Sequence, residues 1–147
     1  MQIRVAAESD IPSVLSLYTQ LDQSGEVSMS LPDALEIFRH IESYPNYHIY
    51  VAEQHGELIG TFALLIMDNL AHGGTKSALL EAAVVDEKFR GAGIGKKMML
   101  YAMELCEQNL CYKVCLSSNF KREDAHRFYD SLGFQKQGFS FQINFDS

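Results

Sequence analysis

No apolar run among the 147 residues approaches the roughly 18 that a membrane helix needs. The opening Met1-Gln-Ile-Arg-Val-Ala also lacks the basic start and apolar middle of a signal peptide, so a soluble cytoplasmic protein with no membrane partner is the expectation. Cysteine is sparse: Cys106, Cys111 and Cys115 are odd in number and show no paired CxxC spacing, which argues against a zinc site and for buried, reduced thiols. Basic residues are outnumbered, 12 Lys+Arg against 19 Asp+Glu, and a net charge of -7 repels a phosphate backbone, which removes nucleic acid from the expected partners. Internal repeats, low-complexity tracts and long Pro, Gly or Ser linkers are absent too. Nothing marks a boundary, and a single domain over residues 1–147 is expected. What is present is ordinary: 47% hydrophobic and 21% charged residues, in a chain long enough to hide roughly two thirds of its unfolded surface around one core.

Residues 2–6 read as a short strand, and Ile11, Val14, Leu15, Leu17, Tyr18 and Leu21 carry a helical rhythm from a cap at Ser9 or Asp10, with Pro12 in the first turn. A polar loop around Ser24-Gly25 leads to Ser30-Leu-Pro-Asp33, which opens a second helix with Leu35, Phe38 and Ile41 on one side. Residues 48–53 and 58–67 are rich in Ile, Val, Tyr, Thr and Phe and flank Gln54-His55-Gly56-Glu57, the pattern of a β-hairpin. After a loop over 68–77, a strand over 79–85 runs into Arg90-Gly-Ala-Gly-Ile-Gly95. The amphipathic helix that follows buries Ile94, Met98, Tyr101, Ala102 and Leu105. Residues 112–117 form a further strand, and 123–132 a short helix that Gly133 stops. In the tail, Phe139, Phe141, Ile143 and Phe145 alternate with Ser140, Gln142 and Asn144. Period two predicts a last, half-buried strand beside a ligand pocket. The order β-α-α-β-β-β-α-β-α-β-β describes an α/β fold, a mixed sheet with helices on both faces.

The junction at residues 90–95 carries the chemistry. Arg90-x-x-Gly93-x-Gly95, after a strand and before a helix, collects backbone N–H groups at a positive helix end. Lys88, Arg90, Lys96 and Lys97 add four cations with no acid among residues 88–97, which suits a phosphate-bearing ligand. A Walker A loop would need Gly where Arg90 stands and Ser or Thr where Lys97 stands, and a dinucleotide fingerprint would need Gly in place of Lys96. Both fail, leaving either an anion cradle of another kind or a turn that serves only chain geometry.

Ala83-Val-Val85, Arg90-Gly-Ala-Gly-Ile-Gly95, Asn119 and Ala125-His-Arg-Phe-Tyr129-Asp-Ser-Leu-Gly-Phe134 stand in the order and spacing that resemble the GNAT superfamily of N-acetyltransferases. The resemblance is strong over 79–135 and looser in the first strand and helix. It implies a mostly antiparallel sheet with a central splayed parallel pair. It further implies that Arg90, Gly91, Ala92, Gly93, Ile94, Gly95 and Lys96 bind the pyrophosphate of acetyl-CoA, that Ala83, Val84 and Val85 hold its pantetheine arm and thioester, and that Tyr129 protonates the departing sulfur. Its acceptor would be the primary amine of a small molecule, attacking directly in a ternary complex. Ser118 to Tyr129 and Gly138-Phe-Ser-Phe are similar to aminoalkylphosphonate N-acetyltransferases, although the acidic residues of that group are replaced by Leu79 and Ala82, and no metal is expected. Leu80-Glu81 and Cys111-Tyr-Lys113 are similar to glucosamine-6-phosphate N-acetyltransferases.

Acyl transfer to an amine needs a neutral amine, a stabilised carbonyl oxygen and a proton for the thiolate. Glu81, a carboxylate in the apolar run Leu79-Leu-Glu-Ala-Ala-Val-Val, is the candidate base, against the reading of a strand acid facing solvent. A backbone N–H near Val84 or Val85 is the candidate oxyanion donor. Tyr129 is the candidate acid, against a purely packing role beside Phe128. Asn119 either holds the cofactor or caps the next turn. His126 and His72 are weaker candidates, and His40, His48 and His55 form no ligand spacing. A cofactor-sensing module without catalysis and a protein N-terminal or lysine acetyltransferase are the alternative functions. The sequence leaves the oligomeric state open, a homodimer included.

Overall fold

Short apolar alternation at the start of the chain makes β1 (Gln2–Val5), and a single turn of 3-10 helix, Glu8–Asp10, leads into α1 (Ile11–Tyr18), where Pro12 sits in the first turn and its missing N–H costs nothing. Asp10 ties this corner together: its carboxylate takes two bonds from the Arg4 guanidinium, at 2.6 and 3.0 Å, and one from the Ala7 N–H at 2.7 Å. α2 (Leu31–Glu42) begins where the Ser30 hydroxyl accepts the Asp33 N–H at 3.3 Å, as the sequence predicts. The computed structural model describes residues 1–21 and 29–145, so the expected loop at Ser24-Gly25 lies outside the described residues.

The hairpin forms as β2 (Tyr47–Gln54) and β3 (Glu57–Met67), turning through His55-Gly56. β4 (Ser77–Val85) pairs antiparallel with β3 and parallel with β5 (Lys113–Cys115), giving the sheet order β1-β2-β3-β4-β5. α3 (Ile94–Gln108) supplies the crossover between the parallel pair. On one face of the sheet, Ile11, Val14, Ala34 and Phe38 pack on Val51 and Ala63. Alternation puts Tyr50 and Phe62 on the other face, where their rings stack at 5.1 Å and Tyr101 of α3 meets Tyr50 edge-on at 5.9 Å. Gly60 lets α3 approach: a Cβ there would lie 2.6 Å from Met98 Sδ.

The chain divides into two compact units, Met1–Cys115 and Leu116–Ser147. The first holds the sheet with α1, α2 and α3. The second holds α4 (Glu123–Ser131), which buries Ala125 and ends at Gly133 (φ 93°), where the Phe134 N–H returns to the Tyr129 carbonyl at 3.1 Å.

Two expectations are corrected. The strand expected over 139–145 does not form: among the described residues this segment pairs with no strand, and Phe139, Phe141, Ile143 and Phe145 are 78 to 91% exposed. A period-two pattern makes a strand only where a second strand pairs with it, and among the described residues no strand pairs with this segment. The thiols are free, yet only Cys106 is buried, its pKa pushed up to about 12 mainly by that burial, whereas Cys115 on the three-residue β5 is exposed.

Candidate functional site

β4 does two things that no local pattern announces. Ala63 lies opposite Glu81 and Thr61 opposite Val84, so Phe62 of β3 spans both Ala82 and Ala83, and Ala82 takes φ 50° to absorb the extra residue. This β-bulge rephases the strand. Glu81 and Val84, three apart, then share the sheet face that α1 and α2 cover, with Val84 buried and Glu81 exposed. β4 also parts from β5. Pairing ends at Leu79 and Cys115, so from Leu80 to Val85 the edge of β4 turned away from β3 carries no strand among the described residues. The Asp86 N–H bonds to Ile59 at 2.8 Å, and because N–H directions alternate along a strand, the N–H and carbonyl of Val85 face that open edge.

A turn of 3-10 helix, Glu87–Phe89, carries the chain from β4 to the glycine loop, with Asp86 capping it through the Lys88 N–H at 3.1 Å and the Gln20 side chain accepting the Glu87 N–H at 3.0 Å. Gly91 (φ 84°) and Gly93 (φ 81°) adopt left-handed backbone that any other residue would strain to reach. The first helical bond runs from the Lys97 N–H to Gly93. Among the described residues, the N–H groups from Gly91 to Lys96 therefore have no backbone acceptor. Six free donors at a helix start, with Lys88, Arg90, Lys96 and Lys97 exposed around them, fit a pyrophosphate. Arg90 also donates from Nε to the Val85 carbonyl at 3.1 Å, joining the loop to the open edge.

Beside Glu81 the sequence reading missed a cluster of phenols. The cross-strand rows Tyr47-Leu65-Leu79 and Ile49-Ala63-Glu81 are neighbours on one face, and Tyr44 meets the Tyr47 ring at 6.1 Å. Burial first, then the Glu81 carboxylate, raises the Tyr47 pKa, and burial pushes the nearby Tyr18 up to about 12. No spacing rule joins residues 18, 44, 47 and 81, because only the sheet register brings three strands together. An open depression of about 660 Å³ lined by Met1, Gln2, Glu53, Gln54, His55 and Gly56 shares no residue with β4 or the loop, and it holds no cluster of catalytic groups.

In the second unit, Tyr129 is half-buried between Phe128 and Phe134, with ring centroids at 5.3 and 5.6 Å. Burial raises its pKa against a smaller lowering by Arg122, so the phenol keeps its proton at neutral pH. Asn119 caps the turn: its Oδ1 accepts the Lys121 N–H at 3.0 Å and its carbonyl the Arg122 N–H at 3.0 Å, leaving the side-chain amide N–H groups for another partner. His126 Nε2 lies 2.8 Å from the same carbonyl, a structural contact. In the first unit, exposed His72 meets the Tyr112 ring at 4.4 Å, tilted by 34°. Among the described residues no three His, Cys, Asp or Glu side chains gather as a metal site.

Comparison with known proteins follows the same lines. Residues 13–134 match the acetyltransferase (GNAT) family. The chain is 30% identical to glucosamine 6-phosphate N-acetyltransferase of Trypanosoma brucei brucei over 92% of its own length and 89% of that protein. It is 34% identical to aminoalkylphosphonate N-acetyltransferase of Salmonella typhimurium over 66% of its length and 62% of that protein. A putative acetyltransferase from Agrobacterium tumefaciens superposes with a TM-score of 0.92 at 32% identity, covering 98% of this chain and 99% of the other. A free-amide loop behind a bulged, splayed strand thus stands in a chain that belongs to the GNAT acetyltransferase family.

Proposed function

We propose that the protein acts as one functional domain across both units and transfers acetyl from acetyl-CoA to the primary amine of a small molecule, in a ternary complex. The observation that carries this reading is the run of six unpaired N–H groups from Gly91 to Lys96 beside the open edge of β4. The N–H groups, with Lys88, Arg90, Lys96 and Lys97, would hold the pyrophosphate, and Ala83, Val84 and Val85, along the open edge of β4, would hold the amide arm. Asn119 would add its amide N–H groups. Acetyl-CoA, when bound, supplies the acetyl group as a thioester. The Val85 N–H, facing the open edge, would polarise the carbonyl oxygen. Glu81 would take the ammonium proton on its carboxylate, directly or through water, and Tyr129 would hold on its phenolic oxygen the proton given to sulfur.

The acceptor we favour is a small amine that carries phosphate or phosphonate, supported by the names of the Trypanosoma and Salmonella relatives. We place the action in the cytoplasm, in keeping with three free cysteines and with the absence, among the described residues, of any helix long and apolar enough to cross a membrane. Thiol release from acetyl-CoA, measured across amino-sugar phosphates, aminophosphonates, polyamines and peptide N-termini, tests the proposal. Turnover confined to peptides would replace the small-molecule acceptor. Cofactor binding without turnover on any amine would make the protein a sensor.

A further inference from the structure

The phenols beside Glu81 are left without a task by the acetyl-transfer chemistry. α1 lies against β3 and β4 and α2 against β2, and the rows Val51-Thr61-Val84 and Ile49-Ala63 are buried beneath them. The cover stops there. In the next row, on the same face by the period of two, Tyr47, Leu65 and Leu79 are half-buried, and Cys115, which carries the row onto β5, is exposed. The result is a shelf floored by two leucines, with Glu81 exposed at the end of the neighbouring row.

Three tyrosines border this shelf. Tyr47 stands in the row itself, and Tyr18 of α1 packs with it against the same core cluster. Tyr44 follows α2, fixed by its N–H to the Ile41 carbonyl at 3.0 Å, and its ring meets that of Tyr47 at 6.1 Å, tilted by 41°. Two rings at that angle make a corner of π faces rather than a closed stack. Glu81 is near enough to help raise the Tyr47 pKa, and among the described residues it makes no ion pair. The two rows contain no Lys or Arg, and Lys113, one row further on, keeps its Nζ 5.3 Å from the centre of the Tyr112 ring. A carboxylate, π faces and an apolar floor, with no cation in the same rows, recognise an organic ammonium ion.

We infer that Tyr47, flanked by Tyr18 and Tyr44, is the specificity-determining residue of the acceptor subsite, and that its ring seats the acceptor as an ammonium ion beside Glu81. The identity of the cation as the acceptor rests on the proposed acetyl transfer. The ammonium form is the one that predominates in water at neutral pH, so the shelf captures the abundant species and Glu81 takes its proton only once it is seated. A phosphate finds no partner in these rows, so an acceptor that carries one lies with its amine on the shelf and its anion beyond it.

The test reads binding apart from turnover. Tetramethylammonium, a cation with no N–H to donate and no lone pair to acetylate, is titrated by NMR into protein with isotope-labelled tyrosine rings, with tert-butanol as the uncharged match. Single Tyr→Phe variants at 18, 44 and 47 assign the signals. Tetramethylammonium should shift the Tyr47 ring saturably, with Tyr18 and Tyr44, and tert-butanol should not. The Tyr18 and Tyr44 shifts should persist in Tyr47→Phe, which keeps the π face, vanish in Tyr47→Leu and weaken severalfold in Glu81→Gln. With the amine that the thiol-release panel selects, Tyr47→Leu should raise the acceptor KM about tenfold, leave the acetyl-CoA KM unchanged, and be rescued by Tyr47→Phe. No saturable shift at Tyr47, or an equal one with tert-butanol, overturns the inference. So does an unchanged acceptor KM in folded Tyr47→Leu, or an equal rise in Tyr47→Phe, which would assign the hydroxyl instead of the ring. The titrations of the unaltered protein and of Glu81→Gln decide the matter if Tyr47→Leu does not fold. Saturable binding in a protein that acetylates no amine would end the acetyl-transfer reading and leave the cation site standing.

Discussion

Arg90 donates from Nε to the carbonyl oxygen of Val85 at 3.1 Å, and this bond joins the two halves of the candidate cofactor site. The Val85 carbonyl faces the open edge of β4, where it would otherwise need water, and the guanidinium that satisfies it starts the glycine loop. Arg90 therefore both braces the strand end and adds positive charge beside six free N–H groups. Arg90→Ala should weaken CoA binding severalfold. Gly93→Asp should do more, tenfold or greater, because it places a carboxylate among the donors and asks a side chain to adopt φ 81°, a strain of about 1–2 kcal/mol. Calorimetric titration with CoA checks both, and unchanged affinity in folded Gly93→Asp would remove the pyrophosphate from this loop.

Tyr129→Phe keeps the ring between Phe128 and Phe134 and removes the hydroxyl. Turnover should fall on the order of a hundredfold with CoA affinity nearly intact. Burial raises the phenol pKa, so the acid stays competent through neutral pH and is lost only as pH climbs through that raised value. The alkaline limb of the pH-rate profile should therefore lie above the usual phenol range and vanish in the variant. Full turnover by Tyr129→Phe would end the general-acid assignment.

Glu81→Gln should lower turnover on the order of a hundredfold with CoA affinity nearly intact, because the amide cannot accept the ammonium proton. Glu81 also helps to raise the Tyr47 pKa, so neutralising it should lower that phenol toward its ordinary value, a change that ultraviolet titration of the tyrosines would detect. Full turnover by Glu81→Gln would route the proton elsewhere.

Asp10 contributes acid stability at the corner between β1 and α1. Its pKa is lowered first by the Arg4 hydrogen bonds, against the cost of burial, with the Ala7 N–H assisting. The stabilisation is fully present above about 3.9, the unfolded value, and is lost as pH falls through the lower folded value. Asp10→Ala should cost about 1–3 kcal/mol at neutral pH and flatten that acid transition, as read by urea unfolding at several pH values.

Gly60→Val probes the seat of α3. Its Cβ would meet Met98 Sδ at 2.6 Å and the Val84 carbonyl at 3.3 Å, and the second contact is backbone that cannot swing aside. Overpacking of this kind costs about 1–3 kcal/mol. Thermal unfolding should drop accordingly, with weaker CoA binding because the helix start moves with α3.

Local chemistry was legible before any fold was known. The Ser30 cap, the hairpin about Gly56, the helix from Ile94 and the stop at Gly133 all follow from residues within a few positions of one another, and so does the glycine loop, because left-handed glycines and a helix start are written in adjacent residues. The bulge at Ala82 was not legible. Alanine does not signal a positive φ, and the kink arises only because β3 presents one residue where β4 brings two. Nor was the placement of Tyr47 beside Glu81, which are 34 positions apart and become neighbours through the register of β2, β3 and β4. The tail shows the division most plainly. Its alternation states that Phe139, Phe141, Ile143 and Phe145 want one covered face, but a strand is half of a pair, and which edge completes it is a property of the folded surface rather than of the segment.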